Sequence, residues 1–329
     1  MDATTLERLT LFAALAALLV GCNGRAMPLQ APQAAAQPAG SGFDSTGSWM
    51  APAAAKQDLL YVSDARGTVS VFSYPGGKQV GLLKGFQSPA GLCSDASGNV
   101  FVVDTNDFHV MKYKHGGTEP IKSLWTVGYY PFGCAVDPAT GDLAVANFTS
   151  QLQGPGSVSI FRPGQAFPST YEDPAFNAYF FCTYDDHSNL FVDGADNGSY
   201  HTEFAELSNG STLFTTIALD KKIGYPGGVQ WDGTYVDVQD TASRVLYRFK
   251  IAGSKGKSSG SVRFKGDLSS LIHQFWIQGQ TIVMPYGPVA RQVRDVGFWP
   301  YPAGGSATKS ITVAHATELI GATISLAHK

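Results

Sequence analysis

A set of acidic and amide side chains recurs where short apolar strands are predicted to end. Asp64, Asp104, Asn147, Asp193 and Asp240 occupy these positions, and Tyr286 stands at the corresponding place near the C-terminus. Carboxylate and amide oxygens are the ligands that a hard cation such as Ca²⁺ takes, so these residues are candidate ligand-binding groups. The alternative is that each side chain accepts a backbone N–H and closes its own turn. Because these residues recur in nearly every repeat, we favour the structural role and predict no cofactor. A ring of such side chains around a central channel could still bind Ca²⁺.

The elements that would position these residues are clearest in residues 88–114, SPAGLCSDASGNVFVVDTNDFHVMKYK. Short apolar runs bounded by Gly, Asn, Asp and Ser clusters are typical of an antiparallel meander. Versions of the same stretch begin at Tyr130, Tyr179, Tyr225 and Ile272. Their first turns are spaced by 42, 48, 47 and 46 residues, at the positions Asp95, Asp137, Asp185, Asp232 and Gln278. These first-turn residues are predicted to be structural and to lie on the face opposite the candidate ring.

Four strands in each repeat of about 40–50 residues indicate the blades of a β-propeller. The opening repeat begins at Asp58 and lacks a first strand, which the C-terminal segment Glu318–Leu326 can supply. Closing the ring in this way removes exposed sheet edges. The sequence therefore predicts an all-β, six-bladed β-propeller of four-stranded antiparallel blades over residues 58–329, with the first blade closed by the C-terminal strand.

The N-terminal region has the character of a targeting segment followed by a linker. Leu9–Val20 is almost wholly apolar but too short to span a bilayer comfortably. The following Gly21-Cys22 completes the sequence LVGC, which resembles the lipobox of bacterial lipoproteins and implies lipidation of Cys22. Residues 1–22 are thus expected to be a lipoprotein signal peptide, with an ordinary cleaved signal peptide as the alternative. Residues 23–57, rich in Ala, Pro, Gln and Gly, are expected to form a flexible tether.

Three cysteines remain beyond Cys22, and an odd number leaves at least one thiol unpaired within the chain. Cys93, Cys134 and Cys182 all fall in predicted first strands, where small apolar residues are expected. We expect them to be buried thiols that behave as small hydrophobic residues. A disulfide would require two Cα atoms within roughly 7 Å of each other.

The repeat resembles the NHL repeat, whose pattern combines Pro-x-Gly, an Asp turn, Gly-Asn, an apolar strand and a final Asp. The second repeat matches it at Pro89, Gly91, Asp95, Gly98, Asn99, Val100, Phe101, Val102, Asp104 and Asn106, and the third at Pro131, Gly133, Asp137, Gly141, Leu143, Val145 and Asn147. The resemblance implies that the functional face carries the loops that enter each first strand and those that join second to third strands. Related six-bladed propellers include the gluconolactonase/luciferin-regenerating and virginiamycin B lyase families.

Two functions are compatible with this resemblance. The favoured one is a monomeric, non-catalytic binding or scaffolding module, which is lipid-anchored outside the cytoplasm at the outer membrane or cell surface. It would hold an envelope protein, peptide or small molecule at the propeller mouth. The alternative is a divalent-cation-dependent lactonase or lyase, with His201, His273 or His109 as a candidate base, but the Glu-Gly-Pro and Pro-Asn-Gly segments of the lactonases are absent. A formal charge of −3 without a basic stripe argues against a nucleic-acid partner.

Overall fold

Six antiparallel blades form the fold in the computed structural model, which describes residues 45–196, 201–266, 273–287 and 293–328. Numbered in chain order, the strands of the first three blades are β1 (Trp49–Met50), β2 (Leu59–Asp64), β3 (Thr68–Ser73), β4 (Gln79–Lys84), β5 (Pro89–Ser94), β6 (Val100–Asp104), β7 (His109–Tyr113), β8 (Pro120–Trp125), β9 (Tyr129–Val136), β10 (Leu143–Ser150), β11 (Ser157–Phe161) and β12 (Ser169–Tyr171). The remaining strands are β13 (Phe176–Tyr184), β14 (Leu190–Asp196), β15 (Thr202–Leu207), β16 (Thr215–Thr216), β17 (Ala218–Leu219), β18 (Pro226–Trp231), β19 (Val236–Asp240), β20 (Val245–Ala252), β21 (Lys255–Lys265), β22 (Trp276–Gln278), β23 (Thr281–Tyr286), β24 (Asp295–Pro300), β25 (Gly305–Ser306), β26 (Lys309–Thr312) and β27 (Leu319–Ser325).

Each blade is built on an antiparallel meander, as in the order β5-β6-β7-β8 of blade 2, and the short strands β17 and β25 pair parallel with β21. The first strands of neighbouring blades contact one another around the centre. We call the face with the loops that enter first strands the loop face, and the opposite face, with the turns between first and second strands, the turn face. Two short 3₁₀ helices, Ala54–Lys56 and Thr105–Asp107, interrupt the strands. No helix within the described ranges is long and apolar enough to cross a membrane.

The ring closes in blade 1, as the sequence predicts. β27 pairs antiparallel with β2, with Leu59 opposite Ser325 and Tyr61 opposite Thr323. The C-terminal strand is therefore the first strand of the blade that the N-terminal strands begin. This confirms the six-bladed propeller with its first blade closed by the C-terminus.

The hydrophobic core lies between the blades and not inside any one of them. In β2, Leu59 and Tyr61 pack with Val100 of blade 2, whereas Leu60 packs with Val296 of blade 6. Alternate residues of a strand point to opposite faces of the sheet, and both faces of a blade are covered by a neighbour. This is why the second strands are buried on both faces, as all five residues of β6 are.

The first turns confirm the structural role predicted for their acids. Asp95 Oδ1 accepts hydrogen bonds from the backbone N–H groups of Ser97 (3.0 Å) and Asn99 (2.8 Å). Asp185 repeats the arrangement with His187 and Asn189. A short acidic side chain that caps its own turn in this way replaces backbone hydrogen bonds that the tight chain reversal leaves unmade.

The expectation of three buried thiols was wrong for two of the cysteines. Cys93 in β5 and Cys134 in β9 form a disulfide with a Cα–Cα distance of 5.8 Å, which joins blades 2 and 3. Cys182 is the free cysteine of the described residues and is buried. Its burial raises the pKa of the thiol far above the usual range, so Cys182 behaves as the small hydrophobic residue that was expected.

The predicted boundary at Asp58 also needs correction. Trp49–Met50 pairs with β4 at the outer edge of blade 1, and Ala54 is fully buried in the core shared with blade 2. The folded part therefore includes residues assigned to the tether, because a short outer strand can extend a blade at its free edge. Cys22 and the predicted signal peptide lie outside the described residues.

Candidate functional site

The candidate acids of the loop face are engaged by backbone amides of their own blades. Asp104 accepts hydrogen bonds from the N–H groups of Gln87 (2.8 Å) and Ser88 (2.7 Å), in the loop that enters β5. Burial raises its pKa to about 6, against the lowering effect of these hydrogen bonds. Asp104 thus ties the end of the second strand to the start of the first.

The same arrangement joins the two ends of the chain in blade 1. Asp64 accepts hydrogen bonds from the N–H groups of Thr317 (3.0 Å) and Glu318 (3.2 Å), directly before β27. It also accepts one from Arg66 N–H in its own turn. The carboxylate therefore helps to hold the closing strand in place.

Blade 5 uses Asp240 in the same position. Its carboxylate accepts hydrogen bonds from the N–H of Tyr225 (3.3 Å), before β18, and from the N–H of Ala242 (3.1 Å). The Ser243 hydroxyl donates a further hydrogen bond at 2.5 Å. Asp64, Asp104 and Asp240 are thus three versions of one internal brace.

The other three candidates lie deeper or at the rim. Asn147 is buried and donates through Nδ2 to the hydroxyls of Ser157 and Ser159, both at 2.9 Å. Asp193 has no solvent exposure and accepts a hydrogen bond from Phe181 N–H at 2.9 Å. This burial raises its pKa well above the usual range. Tyr286 lies at the rim, where its hydroxyl is 2.8 Å from Ser310 Oγ.

No group of three or more His, Cys, Asp or Glu side chains in the described part of the chain is arranged to hold a metal ion. Three histidines were considered as bases, and His109 has its Nδ1 3.5 Å from Asp107 Oδ2. His273 is buried, and burial lowers its pKa to about 4. His201 is exposed at the start of β15.

The loop face instead presents an apolar surface over blades 2 and 3, which we call the blade 2–3 patch: Phe108, Val127, Tyr130 and Leu152. Leu152 is 94% exposed and Val127 is 38% exposed. Phe108 and Tyr130 are half-buried and meet edge to face, with ring centroids 4.7 Å apart. Sequence reasoning named Tyr130 among the aromatics of the loops but missed the other three.

The loops that carry the patch are fixed to one another by hydrogen bonds. Gln151 N–H donates to Gly128 O at 2.8 Å, and Thr126 N–H donates to Phe108 O at 2.9 Å. Phe108 and Val127 have positive φ angles of 59° and 52°. A β-branched residue rarely adopts this left-handed conformation, and such conformations concentrate at functional sites. The patch is therefore a preorganised surface.

On the turn face, two carboxylates of blade 5 share one tyrosine hydroxyl. Tyr301 Oη contacts Asp232 Oδ2 and lies 2.9 Å from Asp237 Oδ2. Arg248 donates to Asp232 at 2.7 Å and through Nε to Tyr301 Oη at 2.9 Å. Burial raises the pKa of Asp237 to about 8. The pKa of Asp232 is lowered, because hydrogen bonds from Tyr301 and Arg248 outweigh its burial.

One hydroxyl hydrogen cannot serve two carboxylates at once. If Asp237 is protonated, its O–H donates to Tyr301 Oη, and the Tyr301 hydroxyl donates to ionised Asp232. This assignment gives both hydroxyl hydrogens an acceptor and leaves a single negative charge opposite Arg248. We call these four residues the Tyr301 network. Sequence reasoning placed Asp232 in a turn but gave no signal for Asp237, which lies in the interior of a strand.

Comparisons with known proteins give the fold and no family. No protein-family model matches the chain, and no curated protein matches its sequence. One chain of a crystal structure of a nidogen/laminin complex has a TM-score of 0.65 at 14% identity, over 83% of this chain and 100% of that one. A protein of unknown function from Bacteroides caccae has a TM-score of 0.60 at 8% identity, over 82% and 99%. At these identities the likeness concerns the propeller fold alone.

Proposed function

We propose that this protein is a non-catalytic binding module of the bacterial cell envelope, held to a membrane by lipid on Cys22, that contacts a protein partner through its loop face. The observation that carries the proposal is the blade 2–3 patch. Large apolar side chains at loop tips are exposed to water, which is unfavourable. Contiguous exposed apolar surface of this kind marks interaction sites. A rigid surface also loses little conformational entropy on binding.

The repeat itself supports a relationship to NHL propellers. The Pro-x-Gly, Asp-turn and final-Asp positions of blade 2 all have a mechanical role: Asp95 caps the first turn, and Asp104 braces the loop before β5. The nidogen/laminin neighbour was crystallised in a complex of two named proteins. Partner binding by a propeller of this shape is therefore a natural use of the fold.

The disulfide between blades 2 and 3 supports the proposed location. Disulfides persist in oxidising compartments such as the periplasm and the cell surface, and are rare in the cytoplasm. Cys93–Cys134 would therefore be stable outside the cytoplasmic membrane. Replacing Cys22 by Ser should abolish incorporation of labelled fatty acid into the protein, and unchanged labelling would refute the lipid anchor.

The binding surface can be tested by site-specific photo-crosslinking in intact cells. A benzophenone side chain at Leu152 should give a discrete adduct with an envelope protein. The matched control is Leu213, which is 74% exposed on the turn face of blade 4. Leu152→Asp should also reduce copurification of the same protein, whereas Leu213→Asp should not. Equal adducts at both positions, or none at Leu152, would exclude the loop face as the binding surface.

A further inference from the structure

A cavity of about 190 Å³ occupies the turn-face end of the central channel. The first strands of blades 2 to 6 all contribute to its wall. Its lining includes Tyr184, Trp231 and Trp276, together with Val136, Gln230 and Gln274. It is thus a shared feature of the ring and lies on the face opposite the blade 2–3 patch.

Packed main chain separates this cavity from the loop face. A Cβ at Gly133 would lie 2.4 Å from Phe180 O, and one at Gly91 would lie 2.6 Å from Phe132 O. The first strands of blades 2, 3 and 4 therefore approach each other as closely as glycine allows. Next to them, the Gln274 side-chain amide reaches across blade 1 to Leu92. Gln274 Oε1 accepts a hydrogen bond from Leu92 N–H, and Gln274 Nε2 donates one to Leu92 O, both at 2.7 Å.

Three polar side chains of the wall already have partners within the protein, whereas the buried Trp231 Nε1–H has none among the described residues. Gln230 accepts a hydrogen bond from Ile277 N–H at 2.6 Å and donates to Ile277 O at 3.3 Å. Thr183 Oγ1 accepts one from Trp231 N–H at 3.0 Å. Ser94 Oγ donates to Ile324 O at 2.8 Å. A sugar would therefore find these three side chains committed and only the Trp231 N–H available, so most of its hydroxyl groups would lose hydrogen bonds to water without replacement.

None of the described residues that line the cavity is charged. An ionised ligand would leave water without meeting a counter-ion, which is strongly unfavourable. Two indole rings and a phenol ring at the wall instead favour a flat apolar group, since aromatic pairs gain energy beyond the area they bury. A cavity of about 150 Å³ is sufficient for benzene, so the space suits a single substituted ring.

We propose that this cavity is a binding site for a neutral small molecule built on one aromatic ring. The site is separate from the partner-binding surface of the loop face and does not depend on it. It needs no movement of the blades, because the space already exists between the first strands.

The test uses three probes of similar size and different charge: benzyl alcohol, benzoate and benzylammonium. We expect saturable binding of benzyl alcohol in ligand-detected NMR, with about tenfold or greater weakening for each charged analogue. Methyl glucoside should not bind. Equal binding of the three aromatic probes, preference for the sugar, or no saturable binding of benzyl alcohol would overturn the proposal.

Two variants locate the site. Val136→Trp adds an indole at the cavity wall and should abolish benzyl alcohol binding, whereas the control Leu213→Trp, at an exposed position outside the cavity, should retain it. Thermal unfolding verifies that both variants are folded. A further variant, Trp276→Ala, removes one indole ring from the wall and should weaken benzyl alcohol binding. Unchanged affinity in a folded Val136→Trp and in Trp276→Ala would place the binding elsewhere and refute the assignment. The Leu152 crosslink should be unaffected by these cavity variants, which separates this result from that of the loop face.

Discussion

The two carboxylates of the Tyr301 network should respond in opposite directions to the same substitution. Asp237 has no solvent exposure and Asp232 has a side chain that is 4% exposed, yet they contact the same hydroxyl. Protonated Asp237 resembles an asparagine in shape and charge. Ionised Asp232 is the direct partner of Arg248. We therefore expect Asp237→Asn to stabilise the fold at pH 7 and Asp232→Asn to destabilise it.

The magnitude for Asp237 follows from its pKa, which is 3.8 in an ordinary environment and about 8 in the folded protein. Between these values the folded state holds a proton that the unfolded chain has released. The free energy of unfolding therefore falls as pH rises through this window, by up to about 1.4 kcal/mol per pH unit. At pH 7 the cost reaches about 4 kcal/mol as an upper limit, and an asparagine does not incur it. A gain of about 1–4 kcal/mol is expected for Asp237→Asn.

Asp232→Asn removes the carboxylate that faces Arg248 at 2.7 Å. Breaking a buried ion pair costs about 3–5 kcal/mol. The Arg248 side chain is 20% exposed and can recover some hydration, so a loss of about 2–4 kcal/mol is expected.

Urea unfolding of the wild type and both variants at pH 5, 6, 7 and 8 measures these differences. The stability gain of Asp237→Asn should grow with pH, because only the wild type carries the proton linkage at this position. Other titrating groups are shared by the two proteins and cancel in the difference. A less stable Asp237→Asn at pH 7, or a difference that does not change with pH, would refute the assignment of the proton to Asp237.

Three further predictions concern contacts between blades. Reducing Cys93–Cys134, which encloses 41 residues, should lower the free energy of unfolding by about 4 kcal/mol; equal urea midpoints for oxidised and reduced protein would contradict this. Ala135→Cys should create a second disulfide with Cys182, seen as a crosslinked peptide in a non-reducing digest, and persistence of free Cys182 would contradict the shared register. Gln274→Leu should cost about 2–4 kcal/mol in urea unfolding, since Leu92 loses partners for both main-chain groups, whereas the exposed Gln280→Leu should change stability by less than about 0.5 kcal/mol.

The repeat spacing was sufficient to predict the fold because each blade must place its first turn and its second strand in the same order. Asp95 and Asp137 mark the same structural point, and β27 falls where the missing strand of blade 1 was expected. The outer strand β1 could not be predicted in this way. It is a two-residue addition at a sheet edge, and no periodic pattern requires it.

The disulfide did carry a sequence signal, which is the number of residues between each cysteine and the acid of its first turn. Cys93 precedes its first-turn acid by two residues, whereas Cys134 and Cys182 precede theirs by three. Side chains alternate between the two faces of a strand, so Cys134 and Cys182 point the same way around the ring and cannot meet. Cys93 points the other way, towards the next blade, and therefore faces Cys134. Ala135 occupies the Cys93 position of blade 3, which is the basis for its predicted pairing with Cys182.

The candidate site was harder to predict, for a physical reason. A carboxylate at a strand end satisfies equally well the pattern for cation binding and the pattern for a backbone brace, and only the position of the neighbouring N–H groups distinguishes them. Asp104 meets two such groups from a loop 16 and 17 residues away in the chain. The exposed Leu152 has no periodic counterpart, because an exposed loop residue is free of the packing constraints that shape the repeat.

Side chains at the turn-face end of the channel join neighbouring blades, and the type of contact differs from one pair of blades to the next. A disulfide joins blades 2 and 3, a hydroxyl–amide contact joins 4 and 5, a side-chain amide joins 5 and 6, and a serine hydroxyl joins 1 and 2. These connections use the Gln230, Thr183 and Ser94 side chains, and the rings of Tyr184, Trp231 and Trp276 form much of the remaining surface. The neutral, ring-lined cavity is thus a consequence of how the propeller is held closed. Gln230→Leu removes one of these connections without altering the charge of the cavity. It should therefore lower the free energy of unfolding by more than it lowers the free energy of binding of an uncharged aromatic probe.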